Sequence, residues 1–443
     1  MNATTLKYLI MAVFIGLGIF AVLVWAGIVP GLGGGGNTGT ATIKRAELTV
    51  WGTADDKAQF DAMVEAFRGP NPGVKITYEK KSPEGYEDEL VRAFAAGKGP
   101  DLFALHNTWL VKYGDLLAPA SKELVSPAGL KGTLADVALR DFAAGDALYG
   151  LPLAIDTLAL YYNTELFNSA GIVFPPKDWD EFVKDSRLLT KRKPNGEVAI
   201  SGAAMGAGNN IPYAPDHLAL LMLQYGASIF DASGKVNFGA AGGSGASLSP
   251  AEAALDFYTS FAKPSHPNYS WQKDSVFTAE DLFAQNRAGM LFGYAGTRTQ
   301  LLKKSPRLQF AVAPMPQVKG ATFNKNYANY WGYGVYKNSK NKELAWEFLN
   351  YLLTPPIQEY YGSVMGKASV VRSVIAKQQQ NPDLNVFADQ ALTAVSVNRI
   401  DFTILRAVFT EMIASQISGD QFPRQSLQNA AAEMNTLLKP NSQ

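Results

Sequence analysis

The chain contains no cysteine. Disulfides, thiolate metal sites and a cysteine nucleophile are therefore excluded, as is the lipid-modified cysteine that commonly anchors exported bacterial proteins. Histidine is almost as scarce: His106, His217 and His266 are the only three. None stands at helical spacing from another, so no metal-binding pair exists on a helix. Basic charge is not concentrated anywhere. Lys and Arg number 40 against 39 Asp and Glu, which leaves a net charge of +1 and no electrostatic footprint for a nucleic-acid partner. No G-x-x-x-x-G-K-[ST] phosphate loop and no G-x-S-x-G nucleophile elbow occurs. No cofactor and no metal is expected. Carboxylates are plentiful, so counting leaves a glycosidase pair open, but no two of them stand out.

What is present begins with an apolar stretch. Leu9 to Val29 is 21 residues without a charge, and a helix of that length spans roughly 30 Å, the thickness of a bilayer core. Lys7 precedes it, which places residues 1–8 in the cytoplasm. A signal-peptide core is usually about 7–15 residues, so 9–29 reads as a transmembrane anchor. The competing reading is a cleaved signal segment, with Val24 and Ala26 as the small residues before the cut. Residues 30–44 are rich in glycine and form a tether with a reach on the order of 20 Å. Gly31 to Gly36 formally matches G-x-G-x-x-G but opens no helix, so it belongs to that linker. Residues beyond 45 are expected on the extracytoplasmic face, at the cell surface or in the periplasm.

The exported part opens as βαβαβ. Residues 47–51 form an apolar strand. Phe60, Met63, Val64 and Phe67 follow at helical spacing. Residues 74–79 alternate as a strand does; Tyr86, Leu90, Val91 and Phe94 mark a second helix, and 101–105 a third strand. Such a pattern predicts a mostly parallel sheet covered by helices, with ligands beyond the C-terminal strand ends. Asp55 and Asp56 lie past the first end, and His106, Asn107 and Trp109 past the third. Downstream, Asp178 with Glu181 resembles a capping box. Leu344, Phe348, Leu349 and Leu352 make a helix face stopped by Pro355-Pro356, and 239–248 reads as a Gly/Ala/Ser-rich surface loop.

Several segments, in order, resemble the maltose-binding type of bacterial extracellular solute-binding proteins, the carbohydrate receptors of ABC importers. They are Leu48-Thr49-Val50-Trp51, the Phe67 to Val74 link, Gly97 to Leu102, and Tyr149-Gly150-Leu151-Pro152 with Tyr161-Tyr162-Asn163. Pro175 to Phe182, Asn286 to Met290, and Trp331-Gly332-Tyr333-Gly334 with 342–353 complete the series. The resemblance covers roughly residues 45 to 440. It implies an α/β fold of the type II periplasmic-binding-protein kind, with two lobes, each a mostly parallel sheet flanked by helices; the one N-terminal transmembrane helix read from residues 9–29 is a departure from the family, which is frequently a lipoprotein or a cleaved periplasmic protein. One lobe would take 45–153 plus 317–350 and the other 154–316 plus 351–443, with crossovers near 154–156, 312–317 and 351–355. It implies a monomer that captures a saccharide, with permease subunits of an ABC importer and the membrane as its other partners. A membrane-anchored carbohydrate-active enzyme and a ligand-presenting sensor receptor stay open as alternatives.

Sugars offer apolar C–H faces and a rim of hydroxyls, so a receptor needs flat aromatics together with carboxylates or amides. Trp331 is the expected stacking residue. His106, Asn107 and Trp109 match the family's first binding loop. Asp156 interrupts an apolar run where the family's crossover carries an acidic contact; a hinge cap is the other reading. Asp55 and Asp56 either contact ligand or cap the first helix. Tyr294 and Arg298 match a binding turn, and Asn209, Asn210 and Tyr213 form another. Trp271 and Phe402 read as packing, although Phe402 lies near where the family often places a stacking aromatic. Tyr161 and Tyr162 point to opposite faces of a strand and so do not form a ferric-ion pair.

Overall fold

The structure, a computed structural model, describes residues 45–239 and 248–438. The apolar segment 9–29, the tether 30–44 and most of the 239–248 stretch lie outside the described residues. Among the described residues no helix is long and apolar enough to cross a membrane.

Eight strands build two sheets: β1 (Ala46–Gly52), β2 (Val74–Lys80), β3 (Leu102–His106), β4 (Gly150–Pro152), β5 (Ala159–Asn163), β6 (Met290–Gly293), β7 (Phe310–Ala313) and β8 (Trp331–Val335). The first lobe opens as the expected βαβαβ. Its helix Lys57–Arg68 buries Phe60, Met63, Val64 and Phe67, the four residues at helical spacing. The sheet order is β2-β1-β3-β8-β4. β1, β2 and β3 are parallel, whereas β8 runs antiparallel to both β3 and β4. β8 re-enters from the side where β3 ends, which forces the opposite direction.

The second lobe departs from expectation. Its sheet has the order β6-β5-β7, and both neighbours run antiparallel to β5. A mostly parallel sheet in each lobe is therefore corrected to one such lobe. The reason is the chain path: β5 carries it into the lobe and β7 carries it back. Helices Ala214–Gln224, Pro250–Ser260, Phe402–Ser418 and Pro423–Leu437 pack against one another beside this sheet.

Between the sheets, short extended segments lie side by side. Ala154–Ile155 pairs antiparallel with Ala368–Ser369, and Asn326–Tyr327 pairs parallel with Ala394–Val395. Thr157 bridges Ala328, with Leu158 N donating to Tyr327 O at 3.0 Å and Asn329 N to Asp156 O at 3.1 Å. The return crossing therefore falls at 326–329, later than the expected 312–317. Gln317 and Lys325 still belong to the second lobe, bonded to the carbonyls of Lys177 and Leu223. The boundary expected at 351 also moves. Pro355-Pro356 opens a new helix, Pro355–Met365, where a missing N–H costs nothing. That helix packs on Lys57–Arg68 of the first lobe.

His217 is enclosed in the second lobe, and neither ring nitrogen has a hydrogen-bond partner among the described residues. Burial pushes its pKa down to about 3, whereas the unfolded chain titrates near 6.5. Between these values the unfolded state binds the extra proton, so stability falls as pH drops from about 6.5 toward 3. Urea unfolding at pH 7.5 and pH 4.5 should show His217→Leu losing less stability than wild type, by on the order of 2 kcal/mol. Equal losses in both proteins would refute the assignment.

Candidate functional site

The two lobes meet beyond the C-terminal end of β3. His106, its last residue, stands directly opposite Trp331, the first residue of β8. The Trp331 ring lies 5.0 Å from His106, 5.1 Å from Trp109 and 6.1 Å from Tyr86, each nearly edge-on. Trp109 is buried against Tyr86, and its indole N–H has no partner among the described residues. From the second lobe, Phe402 at the start of helix Phe402–Ser418 brings its ring to 4.3 Å from His106. Trp331 and Phe402 remain half-buried. Aromatics from both lobes thus form one wall with two partly open faces.

Beside this wall runs a polar chain. Tyr294 Oη donates to Asp216 Oδ2 at 2.7 Å, and Asn329 Nδ2 donates to the same oxygen at 3.2 Å. The Asn329 oxygen therefore faces His106 Nε2, 2.7 Å away, and this nitrogen must be the donor. His106 Nδ1 is left to accept from the Thr108 hydroxyl at 2.9 Å. Burial pushes the pKa of His106 down to about 4, so the ring is neutral at physiological pH. Burial also raises Asp216, opposed by Tyr294, Arg406 and Asn329. Arg406 stands four residues after Phe402, one helical turn along. Its charge acts on His106, Asp216 and Tyr213, and it makes no hydrogen bond or ion pair among the described residues.

A strap closes the other side. Ser396 Oγ donates to Asp141 Oδ1 at 2.6 Å, and Asn398 Nδ2 to Arg140 O at 3.1 Å. Asp401 caps helix Phe402–Ser418 and holds Lys112 of the first lobe at 3.0 Å. Phe402 N reaches Thr108 Oγ1 at 3.2 Å. Segment 396–402 therefore binds the first lobe just before it becomes a helix of the second.

The structure gathers His106, Trp109, Tyr294 and Trp331 at the cleft. Tyr213 joins them, its ring 4.8 Å from Tyr294 and edge-on. Other sequence candidates have internal partners. Asp55 accepts from the hydroxyls of Tyr333 at 2.5 Å and Tyr361 at 2.6 Å, which ties β1, β8 and helix Pro355–Met365 together. Asp56 is exposed at the N-cap of helix Lys57–Arg68 and pairs with Lys80. Asn107 donates to Asp141, the carboxylate that also takes the Tyr330 hydroxyl. Asp156 accepts from Ala295 N at 3.0 Å and from Lys367 Nζ at 3.1 Å, which is the hinge-cap alternative. Asn210 binds the carbonyls of Gln272 and Lys273, and takes the N–H of Trp271. Asn209 lies exposed, away from that network. Arg298 forms a surface pair with Asp383. Tyr161 is buried and donates to Tyr294 O, while Tyr162 lies on the other face.

Phe402 belongs to the cleft rather than to the packed interior. Asp216, Asn329, Arg406 and the strap were missed. Only Asp216 carried a local signal, a lone acid in the apolar run Ala214 to Met222.

A two-lobed α/β protein whose crossing segments set an aromatic and polar cleft is a ligand-binding receptor of the hinge-closing class. The chain belongs to the bacterial extracellular solute-binding protein family, whose model matches residues 51–359. It is 27% identical over 305 residues to a Brucella abortus (strain 2308) protein described only as a binding protein, covering 66% of this chain and 68% of that one. It is 25% identical to the maltotriose-binding protein of Pyrococcus abyssi (strain GE5 / Orsay), covering 67% and 60%. Among solved structures, the sugar-binding protein MalE of Xanthomonas citri superposes with a TM-score of 0.72 at 20% identity, covering 89% of this chain and 97% of that one.

Replacing Lys112 by Met leaves the Asp401 carboxylate, 4% exposed, without its cationic partner. Lys112 itself is 40% exposed, so the expected loss is only about 1–2 kcal/mol. It would appear in denaturant unfolding at low salt and shrink at high salt. A salt-independent difference, or none, would show that the pair does not hold the strap.

Proposed function

We propose that this protein captures a sugar or oligosaccharide between its lobes and delivers it to an ABC importer. The carrying observation is the cleft wall: half-buried Trp331 and Phe402, one from each lobe, beside Tyr213 and Arg406, whose polar ends have no internal hydrogen bond or ion pair among the described residues. Flat rings suit the apolar face of a pyranose, and donors not engaged inside the protein suit its hydroxyls. The named ligand of the Pyrococcus relative supports the same reading. The ligand-facing set is then His106, Trp109, Tyr213, Tyr294, Trp331, Phe402 and Arg406. Residues 9–29 serve as a membrane anchor and 30–44 as a leash that keeps the receptor, a monomer, close to its importer on the extracytoplasmic face. Such a leash raises the effective concentration of receptor at the importer and gives up long-range diffusion.

A thermal-shift screen against sugars, amino acids, polyamines and phosphate tests the reading. Saturation at a hundredfold over Kd stabilises the folded state by about 2.7 kcal/mol. Saccharides are expected to raise Tm. A response confined to amino acids or ions would overturn the sugar assignment. Trp331→Ala should abolish the saccharide response while leaving ligand-free Tm within a few degrees, because the ring is half-buried.

A further inference from the structure

Helix Ala279–Ala284 carries one more carboxylate, Glu280, beside the turn that ends in Tyr213. Its first amide, Ala279 N, donates to Asn210 O at 2.9 Å, so the helix start is seated against the turn that ends in Tyr213. That turn is rigid. Asn210 is fixed by Trp271 and by the carbonyls of the 272–275 loop. Tyr213 adopts a left-handed φ of +60°, a conformation that costs a non-glycine residue energy and is retained where surroundings impose it.

Glu280 is the second residue of this helix and is half-buried. Its neighbour Asp281 is fully engaged, capping with Thr278 and pairing with Lys304 at 2.5 Å. Glu280 has no hydrogen bond or ion pair among the described residues, and neither does the Tyr213 hydroxyl. Burial holds the Glu280 carboxyl above its usual range. Burial, then the Glu280 charge, pushes Tyr213 up to about 12. Both groups are half-buried and neither is engaged inside the protein, so each is free to bond a ligand hydroxyl. A ligand with adjacent hydroxyls can bond both at once.

We propose that Glu280, with Tyr213, is a specificity-determining contact that reads two neighbouring hydroxyls of the bound ligand. The carboxylate accepts from one and the phenol donates to the other. This rests on the saccharide reading, and it makes stereochemistry at those two carbons the feature the protein selects.

The experiment is calorimetric titration of the full chain with pairs of sugars epimeric at one hydroxyl, for wild type, Glu280→Gln and Glu280→Ala. Loss of a charge-assisted hydrogen bond is expected to weaken the preferred sugar about ten- to a hundredfold. The preference between epimers should shrink in both variants. Ligand-free Tm should stay unchanged or rise, because Glu280 has no internal partner to lose. Wild-type binding with unaltered affinity and epimer preference in both variants would overturn the Glu280 assignment alone. A fall in ligand-free Tm in both variants, with the epimer preference intact, would make Glu280 structural and also overturn it. Absence of any saccharide binding by wild type would overturn both the assignment and the sugar reading.

Discussion

The rest of the structure depends on the backbone contact between Asp156–Leu158 and Tyr327–Asn329. These segments carry the chain out of the first lobe and back, and they are held together by two amide–carbonyl bonds and one bridge. Because the crossings are neighbours, β8 must enter the first sheet from the ligand end, and β5 and β7 must run oppositely in the second. The same constraint places Asn329, Trp331 and Asp156 within a few residues of the crossing. A hinge of this kind concentrates the backbone rotation in a few residues and leaves both cores intact.

Buried charge gathers around that crossing. Asp156 caps helix Ala295–Lys304 through Ala295 N and pairs with Lys367, which precedes the strand Ala368–Ser369. One carboxylate thus holds an element of the second lobe and the segment that passes beside the hinge. Asp55, at the end of β1, does the equivalent within the first lobe through Tyr333 and Tyr361. A buried ion pair such as Asp156 with Lys367 adds little net stability, since desolvation offsets attraction, but removing one partner is expensive. The effect of the two carboxylates is geometric: they set where the helix start and the strand ends stand relative to the cleft.

The first lobe was the most legible part. Phe60, Met63, Val64 and Phe67 carry an unambiguous helical period, and all four are buried. The loop His106 to Trp109 stood out because polar and aromatic residues there follow a buried parallel strand, but its Asn107 serves Asp141. Asp55, Asn107 and Asn210 show the limit of that argument. A polar side chain at a strand end looks the same whether its partner is a ligand or a tyrosine hydroxyl 278 residues away, as for Asp55 and Tyr333. Asn329 and Arg406 were illegible for the same reason, because their roles come from residues distant in sequence. Pro355-Pro356 was read rightly as a stop, since helix Lys342–Leu352 ends just before it; what the sequence did not show is that the pair also starts the next helix.

The contacts between the lobes are numerous but individually modest. His106 to Asn329 and Phe402 N to Thr108 are neutral hydrogen bonds, each worth about 1 kcal/mol net. Lys112 to Asp401 is a charged pair with one exposed partner. A receptor that must close on ligand and open again needs this balance. If cross-lobe bonds alone held it shut by several kcal/mol, ligand would add nothing that a partner could sense. If they were absent, closure would have to be driven entirely by the ligand. The neutral state of His106, held by burial well below physiological pH, keeps the balance steady across the neutral range.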